Sequence, residues 1–310
     1  MYTVLSITIP FFAIIFLGTF FRFINIFDNN SSVILTKYAL FVTLPPFIFI
    51  NILQASQISS IFDLNFIIRF EIITLFILFI IFLIGKFYLK NSKKESSILA
   101  LNAAYPNYGY MGIPLCILAF GEVASIPISL ILLVDTIVLL SFTSFFVTRE
   151  KYNNFFYEVI KFFINLIKNP ILFSVYLAFL FIIFNIEINK IAFKFLEILS
   201  YAATPTALFA IGINLYNKFS RKSYNQILLI SLFKLFIHPL FIFLIFYIFP
   251  SDIDIIWIKV AIICSALPVA GNVFAMSIYY NSLINTTSSS ILITTVLSTF
   301  TVPIILFLLI

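Results

Sequence analysis

Two stretches combine residue types that an apolar helix ordinarily avoids. The first, NAAYPNYGYMGIPL, runs from Asn102 to Leu115 and holds Asn107, Pro106, Pro114, Gly109 and Gly112. The second, CSALPVAGNVFAMS, holds Ser265, Pro268, Gly271 and Asn272. Proline removes a backbone donor and strains the preceding turn, and glycine lets a chain unwind or be approached closely. Unwound backbone in a bilayer leaves polar groups that only protein, water or a ligand can satisfy. A half-helix starting at such a break presents N–H groups and partial positive charge, which suits an anion. The chemistry expected is therefore reversible binding of an anion, with no bond made or broken. The substrate-binding candidates are Asn107 and Asn272 as amide donors, Tyr105 and Tyr108 as hydroxyls with flat apolar faces, and Ser265. Pro106, Gly109, Gly112, Pro268 and Gly271 would shape the site. The competing reading is that the breaks only let helices pack closely.

Ionisable residues inside apolar runs are functional suspects by default. Asp135 sits in LLVDTIVLL with no charged neighbour in sequence. Two roles are open to it: binding a coupled proton or cation, or holding the broken helix through hydrogen bonds. His238, the one histidine, is a candidate proton relay, against the commoner role of a packed, hydrogen-bonded ring. Lys234 lies one turn before it and could attract an anion, against the commoner habit of snorkelling, here to the cytoplasmic face. Arg69 and Glu71, two apart, do not face each other on a helix. No catalytic residue, metal or cofactor is expected. The chain has no H-E-x-x-H, no glycine-flanked nucleophilic serine with a base, and no P-loop. Cys116 and Cys264 both fall in apolar runs and read as packing residues.

The elements that must position these groups are membrane helices. The chain is 63% hydrophobic and 10% charged over 310 residues, with mean hydropathy +1.17, which no soluble domain shows. Ten apolar runs are long enough to cross a bilayer: about 3–21, 32–54, 64–88, 96–120, 122–148, 168–186, 191–216, 226–249, 255–281 and 286–310. The first has no basic segment before it, so it reads as a span and not as a cleaved signal. The net charge of +6 does not point to nucleic acid, because its distribution follows membrane topology. Twelve Lys and Arg lie in alternate loops, at Arg22, between Lys86 and Lys94, between Arg149 and Lys168, and between Lys218 and Lys222. Four flank spans on the other side: Arg69, Lys190, Lys194 and Lys259. That bias places the basic loops in the cytoplasm and both termini outside a plasma membrane.

Three proline pairs recur at almost constant spacing. Pro10 and Pro170 are 160 apart, Pro45 and Pro205 also 160, and Pro106 and Pro268 162. Each pair takes the same place in spans 1 and 6, 2 and 7, and 4 and 9. Five spans per half is odd, so the second half would enter the membrane upside down, the inverted-repeat plan of secondary transporters. The expected organisation is an all-α integral membrane protein. Residues 1–148 form one five-helix repeat, 149–167 a short cytoplasmic connection, and 168–310 the second repeat. In the connection, Phe155, Val159, Phe162, Phe163 and Leu166 recur at helical spacing and predict a short interfacial helix lying on membrane lipid.

The ordered set of motifs resembles the auxin efflux carrier family, which includes plant auxin exporters and many prokaryotic relatives. YPNYGYMGIPL resembles its fourth-span signature and ALPVAGNVFAM its ninth. KNPILFSVYLAFLF, YAATPTALFAIGINL and TTVLSTFTVPIILFLL are similar to its sixth, seventh and tenth spans. The long hydrophilic central loop of the plant carriers is absent. The resemblance implies that spans 4 and 9 cross at their proline breaks. It also implies a homodimer, a scaffold of spans 1, 2, 6 and 7, and a moving unit of spans 3–5 and 8–10. The implied partner is a small organic anion, auxin in plants and malate- or malonate-type carboxylates in bacterial relatives, with protons as a candidate coupling partner. The alternatives are a cation-coupled carrier of the bile-acid-transporter type, a cation/proton antiporter, and a membrane sensor that binds without transporting.

Overall fold

The computed structural model describes residues 2–55, 62–148, 170–215, 223–249 and 252–309. The helix expected over Phe155–Leu166, like the connection that holds it, lies outside these residues. Among the described residues the regular elements are helices, and the one extended pairing is an isolated bridge between Pro106 and Val269. Seven helical segments among the described residues are long and apolar enough to cross a membrane: Val4–Phe23, Asn30–Gln54, Leu64–Tyr88, Glu122–Thr143, Lys190–Ile213, Tyr224–Ile248 and Ile284–Leu309. Three shorter apolar helices are Tyr108–Phe120, Pro170–Ile183 and Ile255–Ser265.

The chain gathers into two compact units. The first contains α1 (Tyr2–Phe23), α2 (Asn29–Tyr38), α3 (Leu44–Ala55), α6 (Ile113–Phe120), the first turn of α7 (Ser125–Thr148), α8 (Pro170–Ile183), α9 (Lys190–Tyr201) and α10 (Ala203–Leu215). Asp28 opens α2 with a capping box, accepting from the Ser31 amide at 2.7 Å. The Ser31 hydroxyl bond and that amide hold the exposed Asp28 carboxyl below its ordinary range. α1 and α10 meet backbone to backbone at Gly18 and Gly212. A Cβ on Gly212 would stand 1.9 Å from the Ile15 carbonyl oxygen, and one on Gly18 2.3 Å from that of Phe209. The Thr19 hydroxyl donates across this contact to the Gly212 carbonyl at 2.8 Å. Small residues with a hydroxyl clasp suit apolar surroundings, where helices gain from close packing and not from expelling water. Elsewhere in this unit Phe49 and Phe181 meet edge to face at 5.2 Å, and Ser125 donates to the Asn51 carbonyl at 2.8 Å.

The second unit contains α4 (Leu64–Leu83), α5 (Lys93–Ala104), the rest of α7, α11 (Tyr224–Leu232), α12 (His238–Ile248), α13 (Ile255–Ser265), α14 (Gly271–Tyr279) and α15 (Ile284–Leu309). Three of its helices start at polar caps: Asp63 for α4, Ser92 with Glu95 for α5, and Asp254 for α13. Each cap accepts from an early amide that has no intrahelical partner. Trp257 packs edge to face on Phe66 at 5.0 Å.

Among the described residues, wide π-helical turns interrupt the helices at four places, Ala39–Thr43, Ile84–Tyr88, Tyr108–Gly112 and Phe233–Ile237. Three of them directly precede a proline near the start of the next helix: Pro45, Pro114 and Pro239. A proline ring crowds the carbonyl four residues back and offers it no N–H, and one widened turn relieves both problems.

Candidate functional site

The first polar stretch ends α5 at Ala104, and the second ends α13 at Ser265. Beyond α5 the chain runs extended at once, and beyond α13 it turns through Ala266 and Leu267 before extending. Tyr105 has φ −94° and ψ 106°, and Ala270 has φ −76° and ψ 148°. The extended pieces pair antiparallel at Pro106 and Val269. The Asn107 amide donates to the Pro268 carbonyl at 2.9 Å, and the Ala270 amide to the Tyr105 carbonyl at 3.3 Å. The Val269 amide turns the other way and donates to the Thr294 hydroxyl of α15 at 3.1 Å. Prolines suit both pieces because each subtracts a donor from backbone that has no water to bond.

Around this crossing lie most of the polar groups singled out in the sequence. Asn107 is buried, and its side-chain amide makes no hydrogen bond to another described residue. Asn272 stands exposed in the first turn of α14, where no side chain caps the helix. The Tyr105 hydroxyl bonds the Thr136 hydroxyl at 2.7 Å and also reaches Asn272. The Tyr108 hydroxyl donates to the Asp135 carboxylate. The two tyrosine rings meet edge to face at 5.8 Å. A Cβ on Gly271 would meet nothing within 4 Å, so the start of α14 faces open space. Ser265 is different. Its hydroxyl donates to the Ile262 carbonyl of its own helix at 2.8 Å, and the residue is fully buried. Gly109 and Gly112 fall in the first unit, both within the wide turn, where a Cβ on Gly109 would press within 2.8 Å of Ile171.

Asp135, in the middle of α7, is fully buried. Its carboxyl group lies against that of Glu71 on α4 as well as the Tyr108 hydroxyl. His238 is buried between the Thr74 hydroxyl, 3.1 Å from Nε2, and the Lys234 ammonium, 3.2 Å from Nδ1. Lys234 corrects an expectation. It does not snorkel but is fully buried, donating to the Ala104 carbonyl at 3.4 Å and the Ser265 carbonyl at 3.3 Å. Carbonyls at two helix ends and the ring of His238 give its ammonium three acceptors inside the protein, so it needs no water to bond.

Sequence reasoning missed Glu71, Thr136, Thr294 and Lys234 as members of this cluster. Glu71 is paired in sequence only with Arg69, and nothing local to it points to Asp135 across the unit. Thr136 and Thr294 are unremarkable in apolar helices, where a hydroxyl usually bonds its own backbone. Asp135 itself was the available signal, because a buried carboxyl group requires partners.

Residues 3–306 match the family described as "Membrane transport protein". The chain belongs to that family. The resemblance to the auxin efflux carriers, drawn from separate span motifs, thus holds over nearly the whole chain. A Rhizobium meliloti (strain 1021) protein named "Putative malonate transporter" is 27% identical over 307 residues, covering 98% of this chain and 95% of that relative. Family membership and the seven long apolar helices together make this a multi-pass membrane transporter.

Proposed function

We propose that the protein is a secondary transporter of a small organic anion, a mono- or dicarboxylate, bound where the α5–α6 and α13–α14 interruptions cross. The observation that carries this reading is the Pro106–Val269 bridge flanked by Asn107 and Asn272. It puts two amide side chains and the uncapped start of α14 beside backbone that is extended at the depth of the apolar runs. The amides and N–H groups would hold a carboxylate, and Tyr105 and Tyr108 would take its carbon skeleton. Ser265 would contribute through its place at the end of α13, since its hydroxyl is engaged. Pro106, Pro268, Gly109, Gly112 and Gly271 would set the path of the chain. The name of the Rhizobium relative agrees with this substrate class.

The architecture we assign is ten spans in two inverted repeats, residues 1–148 and 168–310, working by elevator-type alternating access as a homodimer in the plasma membrane with both termini outside. Two observations support it. The polar stretches interrupt helices at corresponding places in the two halves. One compact unit also gathers α1–α3 with α8–α10, the helices expected of a scaffold, together with α6 and the first turn of α7, which were expected in the mover, and the other gathers α4, α5, the rest of α7 and α11–α15, those expected of a mover. Proton coupling at Asp135 is the accompanying proposal, favoured by the burial of both Asp135 and Glu71 in the same unit, because two carboxyl groups held close in apolar surroundings do not both stay charged.

The test is a substrate-evoked current from purified protein in liposomes, with malate, malonate, indole-acetate and a neutral solute. Wild type should respond to a carboxylate. Asn107→Ala should lose at least about tenfold in apparent affinity, the scale of one charge-assisted hydrogen bond. Asp135→Asn should keep binding and lose the pH dependence of the current. Folded protein that neither binds nor carries any carboxylate would overturn the assignment and bring the cation-coupled carrier and the sensor forward.

A further inference from the structure

Lys234 occupies an unusual place for an ammonium group. It is fully buried, and its three N–H donors face three acceptors, the Ala104 carbonyl, the Ser265 carbonyl and His238 Nδ1. Ala104 and Ser265 are the last residues of α5 and α13, the two helices that end at the crossing. The last carbonyls of a helix lack intrahelical partners and carry the negative end of its dipole. The ammonium therefore sits at the joint negative end of two broken helices.

The surroundings complete a cage suited to a cation. The Asp135 carboxylate attracts Lys234 electrostatically, and the Glu71 carboxyl lies against Asp135. An ammonium has no acceptor, so His238 Nδ1 must be the acceptor of the Lys234 bond. Nε2 then carries the proton and donates to the Thr74 hydroxyl, which donates onward to the Phe70 carbonyl at 3.0 Å. The ring is thus used as a neutral ligand. Carbonyl oxygens at the ends of broken helices coordinate the small mobile cation in many secondary transporters, and a carboxylate nearby adds the opposite charge, while the ring nitrogen serves the ammonium as a hydrogen-bond acceptor.

We infer that Lys234 is a resident cation: its tethered ammonium fills a position that would otherwise bind an alkali metal ion, so the paired helix ends hold together without one. Removing the side chain turns the position into an alkali-cation site. This inference does not depend on which solute is carried, and its readout is stability and ion binding, so it can fail while the carboxylate reading stands.

The experiment compares wild type and Lys234→Ala, purified and melted in sodium, potassium and choline chloride at equal ionic strength, with binding of radioactive sodium measured on both. Wild type should melt at one temperature in all three salts and bind no sodium at this position. Lys234→Ala should melt lower in choline and recover by roughly 2–4 °C or more in sodium or potassium, with sodium bound in about a one-to-one ratio. Selective stabilisation of wild type by sodium would overturn the inference. So would a folded variant indifferent to the salt, or a variant that yields folded protein in none of them, since a metal ion would then be unable to replace the ammonium.

Discussion

Thr294 carries a disproportionate duty for a threonine in an apolar helix. Its hydroxyl accepts from the Val269 amide at 3.1 Å and donates to the Ser290 carbonyl at 2.7 Å, so both of its capacities are spent. Valine has the same shape and no hydroxyl. Thr294→Val should leave the Val269 N–H buried without a partner at the crossing, costing about 1–3 kcal/mol. A lowered melting temperature in detergent, absent from the exposed control Thr299→Val, would check it. At this scale the sequence was legible where a residue type is itself improbable. An aspartate in LLVDTIVLL or the Pro106-Asn107 pair in an apolar run announces a polar environment. It was opaque where the partner is backbone. The Ala104 and Ser265 carbonyls that hold Lys234 have no signature in any side chain, so general habits of lysine gave the wrong direction.

Helix contacts repeat that lesson with glycine. Gly212 and Gly271 look alike in the sequence, one in FAIGINL and one in PVAGNVF, yet their surroundings are opposite. A methyl group on Gly212 would overlap the Ile15 carbonyl of α1, an obstruction made of backbone that no rotamer change relieves. Gly212→Ala should force α1 and α10 apart and cost several kcal/mol, about 3 or more, because Thr19 loses its acceptor with the contact. Gly271→Ala should melt like wild type, because its Cβ would meet nothing, yet change substrate affinity if solute rests at the start of α14. Parallel melting and binding curves for the two variants separate a packing glycine from a site glycine. The helix interruptions at Pro106 and Pro268 could be read from composition, because several breakers cluster there. The wide turns before Pro45, Pro114 and Pro239 could not. A single proline signals a perturbation but not whether a helix kinks, ends or widens.

Across the whole molecule, the alternation of basic and apolar segments supplied the expected topology, and it is directly measurable. Glu187, exposed before α9, should lie outside, and Lys93, exposed at the start of α5, inside. With Glu187→Cys, a membrane-impermeant maleimide should label intact cells. With Lys93→Cys, it should label only permeabilised ones. The native Cys116 and Cys264 are buried and give little background. The reverse pattern would overturn the assigned orientation. The division into compact units was not legible from the chain order, because each unit draws segments from both halves while periodicity and charge report only on neighbours. The Pro106–Val269 bridge has a further consequence, in time. A ribosome releases Tyr105 to Asn107 long before Pro268 to Ala270 exist. During that interval the Asn107 amide and the Tyr105 carbonyl have no native partner, so the insertion machinery or trapped water must shelter them. A nascent chain stopped just short of Val269 therefore carries an unfinished seam in its fourth apolar run, and quality-control proteases acting within the membrane have their opening until the ninth run arrives.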